Sequence, residues 1–215
     1  TREELVRMGD LCARCNVTVV ADEIHADFVY PGHRQTVFAG IKPAFGGICV
    51  TCTAPTKTFN TAGLQISNLI VENPELRRKL REEIHASGYG APSLMGLVAC
   101  RAAYAHGEEW LEQLLCYLKG NLDMLREFLR EQTPRIRLIE PEGTYLVWLD
   151  CRKMNLGGAE LDAWFAKRAH LWLDGGMMFG TGGEGYQRVN IACPRATLAE
   201  ALRRLKQAYD ADFPQ

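Results

Sequence analysis

Lys57 stands out for where the chain puts it. It lies in TCTAPTKTFNTAGLQISN (51–68), after an apolar run at 46–52 that reads as a buried strand and a Thr/Pro turn. A second apolar run follows at 64–71. An ammonium buried or half-buried between two core strands loses hydration, and its amine then becomes available as a nucleophile. The chemistry that uses such an amine is Schiff-base formation, with a carbonyl substrate or with pyridoxal phosphate. A solvated loop lysine fits the same residues, and the stretch by itself leaves both readings open.

Other side chains have the type and position for the same chemistry. The compact run at 17–21, VTVVA, is expected to be a buried parallel strand and ends at Asp22-Glu23. Ligands of open α/β sheets gather at the carboxyl ends of the strands, so an acid there suits function, although a solvated acidic loop is the competing reading. Arg188 follows a glycine-rich loop (175–185) and opens an alternating strand, RVNIAC. Its planar guanidinium can grip the carboxylate of an amino-acid substrate at two points, or can form a surface ion pair. Arg195, beside Pro194, is a lesser candidate of the same kind or a side chain facing solvent.

The elements that must position these residues follow from caps and periodicity. Thr1 and Glu4 form a capping-box pattern for a helix over 2–15, which Asn16 stops. A strand is expected at 66–71, a helix capped by Asn73-Pro74 over 75–86, a loop at 88–92 and a small-residue helix from Ser93 to 105. Trp110, Leu111, Leu114, Leu115, Leu118, Leu122, Leu125 and Phe128 repeat at helical spacing, the core stripe of a long helix ending before Pro134. Beyond it come a hairpin (136–139 and 145–149), a helix (159–169), a strand near 171–173, a strand at 187–193 and a last helix capped by Thr197 and Glu200. The fold class is α/β: part of a large domain with a mostly parallel sheet (1–106), a connecting helix (107–134) and a small α+β domain (135–215). A helix feeding straight into a buried strand looks like the middle of a βαβ series, so the chain is expected to be a C-terminal piece of a larger protein.

Composition narrows the partners. With 47% hydrophobic residues the chain can bury a core, and 25 Lys and Arg against 26 Asp and Glu advertise neither nucleic acid nor an anionic membrane. No apolar run has membrane-spanning length and the first residues lack the apolar core of a signal peptide, so a cytoplasmic location is expected. Cys12/Cys15 and Cys49/Cys52 have the spacing of a four-thiolate zinc site. Their setting, a helix end and a strand whose residues three apart point to opposite faces, favours buried free thiols and no metal.

Taken together, ADEIHADFVY, TAPTKTFNTAGLQ, PEGTYLVWLD and QRVNIACPR resemble, in order and spacing, the fold-type I pyridoxal phosphate enzymes. Among these they most closely resemble the cystathionine β-lyase branch of the class I/II aminotransferase family, over essentially all 215 residues. The resemblance implies that Lys57 forms the Schiff base with pyridoxal phosphate and later removes the substrate α-proton. It implies that Asp22 pairs with the pyridine nitrogen, that His25 lies near the cofactor, and that Arg188 holds the substrate carboxylate. Many relatives place a serine and an arginine on the cofactor phosphate where this chain has Ala54 and Gln65, so Thr53 or Thr56 is expected to supply a hydroxyl instead. The implied activity is carbon–sulfur β-elimination on cystathionine or a cysteine S-conjugate by a homodimer, the chain alone being inactive. Aminotransfer is the alternative within the family, and a non-catalytic interaction module with a vestigial site lies outside it.

Overall fold

A computed structural model describes residues 1–214. In chain order the elements are α1 (Arg2–Arg14), β1 (Val19–Asp22), α2 (Pro43–Gly46), β2 (Cys49–Thr53), α3 (Pro55–Thr58), β3 (Asn68–Ile70), α4 (Pro74–Ala86), α5 (Leu94–His106), α6 (Glu108–Gln132), β4 (Arg137–Ile139), β5 (Leu146–Asp150), α7 (Gly158–Lys167), β6 (Asp174–Gly175), β7 (Tyr186–Asn190) and α8 (Arg195–Asp212). They divide into two compact units, Thr1–Gln113 and Leu114–Gln215.

The first unit holds a three-stranded sheet in the order β1-β2-β3. β1 and β2 run parallel with Asp22 opposite Cys52, and β3 returns antiparallel with Asn68 opposite Thr53. The capping box forms as expected, with Glu4 N donating to Thr1 Oγ1 at 3.3 Å, and Asn16 ends α1 by taking the left-handed conformation. Beneath the sheet Phe38 stacks on Phe45 with ring centroids 5.0 Å apart, and Leu5, Val19 and Ala21 pack around them. α1 comes this close because residue 9 is glycine: a Cβ there would lie 2.4 Å from Phe45 Cζ. β1 is less enclosed than its apolar run suggests, since Val20 on the other face is 66% exposed. The run at 46–52 is likewise not one strand; α2 ends at Gly46 and the strand begins at Cys49.

The second unit packs α6, α7 and α8 with a sheet in the order β4-β5-β7-β6, antiparallel throughout. Leu118, Leu122, Leu125 and Leu129, spaced three or four apart on α6, are buried and form its core face. The hairpin expected around Pro141-Glu142-Gly143 is β4-β5. Two expectations fail. The strand near 171–173 is replaced by the two-residue β6, with Trp172 left almost fully exposed. The last helix starts at Arg195 behind Pro194, which fixes the backbone without a side-chain cap, and Glu200 pairs with Arg203 and Arg204 instead.

Arg195, itself exposed, reaches a buried asparagine of the second unit. Its Nε donates to Asn121 Oδ1 at 3.1 Å and its guanidinium lies 4.7 Å from the centre of the Tyr117 ring. The fully buried Asn121 in turn donates to the carbonyls of Ile191 and Cys193 at 2.9 and 3.0 Å. The exposure of Arg195 is in line with the solvent-facing reading, and the side chain also ties down a buried asparagine that demands partners.

Candidate active site

The parallel register brings the two chain exits together. β1 ends at Asp22 and its neighbour β2 ends at Thr53, so the residues that leave both strands collect at one edge of the sheet. Glu23 N donates to Cys52 O at 2.9 Å and continues the pairing past Asp22. The chain then turns tightly, with Ala26 N donating to Glu23 O and Phe28 N to His25 O. Phe28 is buried and anchors the turn, and Glu23 Oε1 accepts from Phe38 N at 3.1 Å.

Asp22 is exposed, and one carboxylate oxygen accepts from Ile24 N at 3.3 Å. Its charge is felt by the neighbouring thiol: burial first, then Asp22, pushes the Cys52 thiol above its ordinary range. His25 is half-buried, its ring 5.9 Å from that of Phe28.

Lys57 sits on α3, a single helical turn entered through Ala54 and Pro55. Proline at the start of a turn needs no amide partner, which is how the chain leaves β2 so abruptly. Of the two placements the sequence leaves open for Lys57, buried or half-buried between core strands or solvated on a loop, the structure shows the exposed one. The reason is geometric, since a one-turn helix separates the runs and puts residues three apart on one face: Pro55 and Thr58 go inward and Lys57 outward. Among the described residues its ammonium has no ion-pair or hydrogen-bond partner.

The hydroxyls divide into two groups. Thr53 accepts from Asn68 Nδ2 at 3.4 Å and shares a hydrogen bond with Tyr104, whose phenol is pushed up by burial. Thr58 is fully buried and donates to Asp27 Oδ2 at 2.6 Å. Thr56 is half-buried and its hydroxyl has no partner among the described residues. Gln65 is exposed and left-handed at φ 49°.

A free amine, an exposed carboxylate and an unengaged hydroxyl at one sheet edge match the aldehyde, pyridine nitrogen and phosphate of pyridoxal phosphate in chemical type. No group of three or more His, Cys, Asp or Glu among the described residues can hold a metal ion, and all eight cysteines are free thiols.

Arg188 lies on β7, in the second unit, half-buried. Its Nε and Nη2 both donate to Asp174 Oδ2, at 3.1 and 2.7 Å, and its guanidinium lies 4.4 Å from the centre of the Phe179 ring. Phe179 also meets Trp148 edge-on at 5.1 Å. Asp174, Phe179, Asp27 and Thr58 were not singled out from the sequence; the nearness of Thr58 to Lys57 and of Asp27 to Asp22 was the one available signal.

Comparison with known proteins bears on the chain as a whole. Cystathionine beta-lyase PatB of Bacillus subtilis is 40% identical over 208 residues, covering 97% of this chain and 54% of the relative. Protein MalY of Escherichia coli is 32% identical over 212 residues, covering 98% and 54%. The crystal structure of cystalysin from Treponema denticola, which contains a pyridoxal 5'-phosphate cofactor, superposes with a TM-score of 0.95 at 31% identity, over 98% of this chain and 54% of that one. The chain therefore spans about half the length of the relatives it matches. No helix among the described residues is long and apolar enough to cross a membrane. The family model for aminotransferase class I and II, a pyridoxal phosphate-dependent family, matches residues 1–205, and with both strand exits and the β7 arginine inside that span the chain belongs to this family.

Proposed function

We propose that this chain carries the lysine, aspartate and arginine of a pyridoxal phosphate-dependent carbon–sulfur β-lyase acting on cystathionine or a cysteine S-conjugate. The observation that carries the reading is the placement of Lys57 and Asp22 at the carboxyl edge of one parallel strand pair, with the amine exposed and unpaired. Support for the lyase branch comes from relatives named cystathionine beta-lyase.

When bound, pyridoxal phosphate supplies an electron sink for the pair left at the substrate Cα. Lys57 would hold the cofactor covalently through Nζ and, once the substrate amine has displaced it, take the α-proton on the freed nitrogen. Asp22 would keep a proton at the pyridine nitrogen, and His25 would flank the cofactor. Thr56, with Thr53 behind it, would supply hydroxyl donors to the phosphate. Arg188 would grip the substrate carboxylate and orient the Cα–H bond, its guanidinium plane already set by Phe179. The protein would work as a cytoplasmic homodimer on a small amino-acid substrate, without nucleic acid or membrane; free thiols fit a reducing compartment.

Aminotransfer is the second reading, favoured by the description of the family model. It uses the same three residues and differs in returning a proton to the cofactor instead of expelling a β-thiolate.

The test is to add pyridoxal phosphate to the chain, reduce with borohydride and locate the adduct by peptide mass. A stoichiometric adduct confined to Lys57 is the expected result. Labelling scattered over the exposed lysines would overturn the reading for this chain.

A further inference from the structure

Resting on that reading, we propose that Asp27 and Thr58 form a positioning pair that locks the Lys57 turn to the exit of β1, so that amine and Asp22 carboxylate are presented in a fixed relation. A four-residue helix cannot hold its own shape, because nucleating one turn costs more than its single backbone bond returns. α3 has no side-chain cap at Ala54. Its backbone ties are Phe59 N to Pro55 O at 2.8 Å and Thr61 N to Thr56 O at 3.0 Å, both internal to the segment.

The hydroxyl of Thr58 provides an anchor outside it. The residue is fully buried, directly follows Lys57, and donates at 2.6 Å to a carboxylate 31 positions earlier. A hydroxyl donating to an ionised acceptor is among the stronger uncharged-donor bonds. The acceptor is itself fixed: Asp27 lies in the turn held by Glu23 to Phe38 N and by buried Phe28, the same turn that begins at Asp22. One bond therefore joins the segment carrying the carboxylate to the segment carrying the amine. Neither residue needs to touch the cofactor.

The test uses the 215-residue chain with Thr58→Val, Thr58→Ser, Asp27→Ala and Asp27→Asn. Labelling with pyridoxal phosphate and borohydride is read as the ratio of adduct on Lys57 to adduct on Lys153, an exposed lysine of the second unit. The expected result is a ratio lowered about tenfold by Thr58→Val and Asp27→Ala, about the worth of one hydrogen bond to a charged group. Thr58→Ser, which keeps the hydroxyl, stays within about twofold, and Asp27→Asn, which keeps an acceptor without the charge, falls between. A wild-type ratio in both Thr58→Val and Asp27→Ala, or a loss in Thr58→Ser as deep as in Thr58→Val, overturns the proposal. Asp27 is exposed, so its variants decide the matter if Thr58→Val does not fold.

If the unaltered chain labels Lys57 no better than Lys153, the functional reading fails and amide exchange over 55–61 decides the pair. Exchange about tenfold faster in Thr58→Val and Asp27→Ala, with Thr58→Ser unchanged, supports the lock; unchanged exchange in all four overturns it.

Discussion

At the scale of single residues, function and stability separate. Lys57 is exposed and unpaired among the described residues, so Lys57→Ala should remove the pyridoxyl adduct while changing unfolding free energy by no more than about 0.5 kcal/mol, measured by urea titration. Arg195→Ala should do the reverse. It strips Asn121 Oδ1 of its donor and Tyr117 of its cation, and should cost about 1–3 kcal/mol with labelling at Lys57 intact. Both residues are cations followed or preceded by proline-rich turns, and their types do not separate them. Partners do: both side chains are exposed, but Arg195 reaches Asn121 and Tyr117, whereas Lys57 has no partner among the described residues.

At the scale of elements, close approach and packing carry the weight. Gly9→Ala places a methyl against the ring of Phe45, which is fully buried and stacked on Phe38 and so has little room to shift. A loss of about 1–3 kcal/mol is expected, seen as a lower unfolding midpoint. Leu122→Ala on α6 leaves a void beneath a fully enclosed side chain and should cost about 2–5 kcal/mol. The helices were readable because apolar spacing and caps are local: Thr1 and Asn73 cap α1 and α4 as their positions suggest. The short elements were not. β6 is two residues long and α3 four; β6 pairs with β7, and α3 bonds through Thr58 to the distant Asp27, so neither has a local signature.

At the scale of the whole molecule, acid is the informative stress. The guanidinium of Arg152, with help from Arg137, holds the Asp150 carboxyl well below the usual aspartate range. Arg168 and the Trp164 indole hold Asp212 down to about 2. Carboxyls depressed by folding stabilise the native state above their unfolded value of about 4 and lose that contribution as pH falls through the folded value. Urea unfolding should therefore show stability falling from pH about 4 to about 2, and Asp212→Asn should remove part of that slope. Sequence by itself determined what depends on neighbours along the chain: helix periods, the caps of α1 and α4, the β4-β5 hairpin and the family resemblance. Only the tertiary structure decided what depends on groups brought from afar. It set Lys57 outward on its one-turn helix, paired Asp27 with Thr58 across 31 positions, closed Asp174 and Phe179 on Arg188, and turned Arg195 into a tie for a buried asparagine. Burial and long-range hydrogen bonding are properties of the folded contacts, and no local pattern encodes which partner will be there.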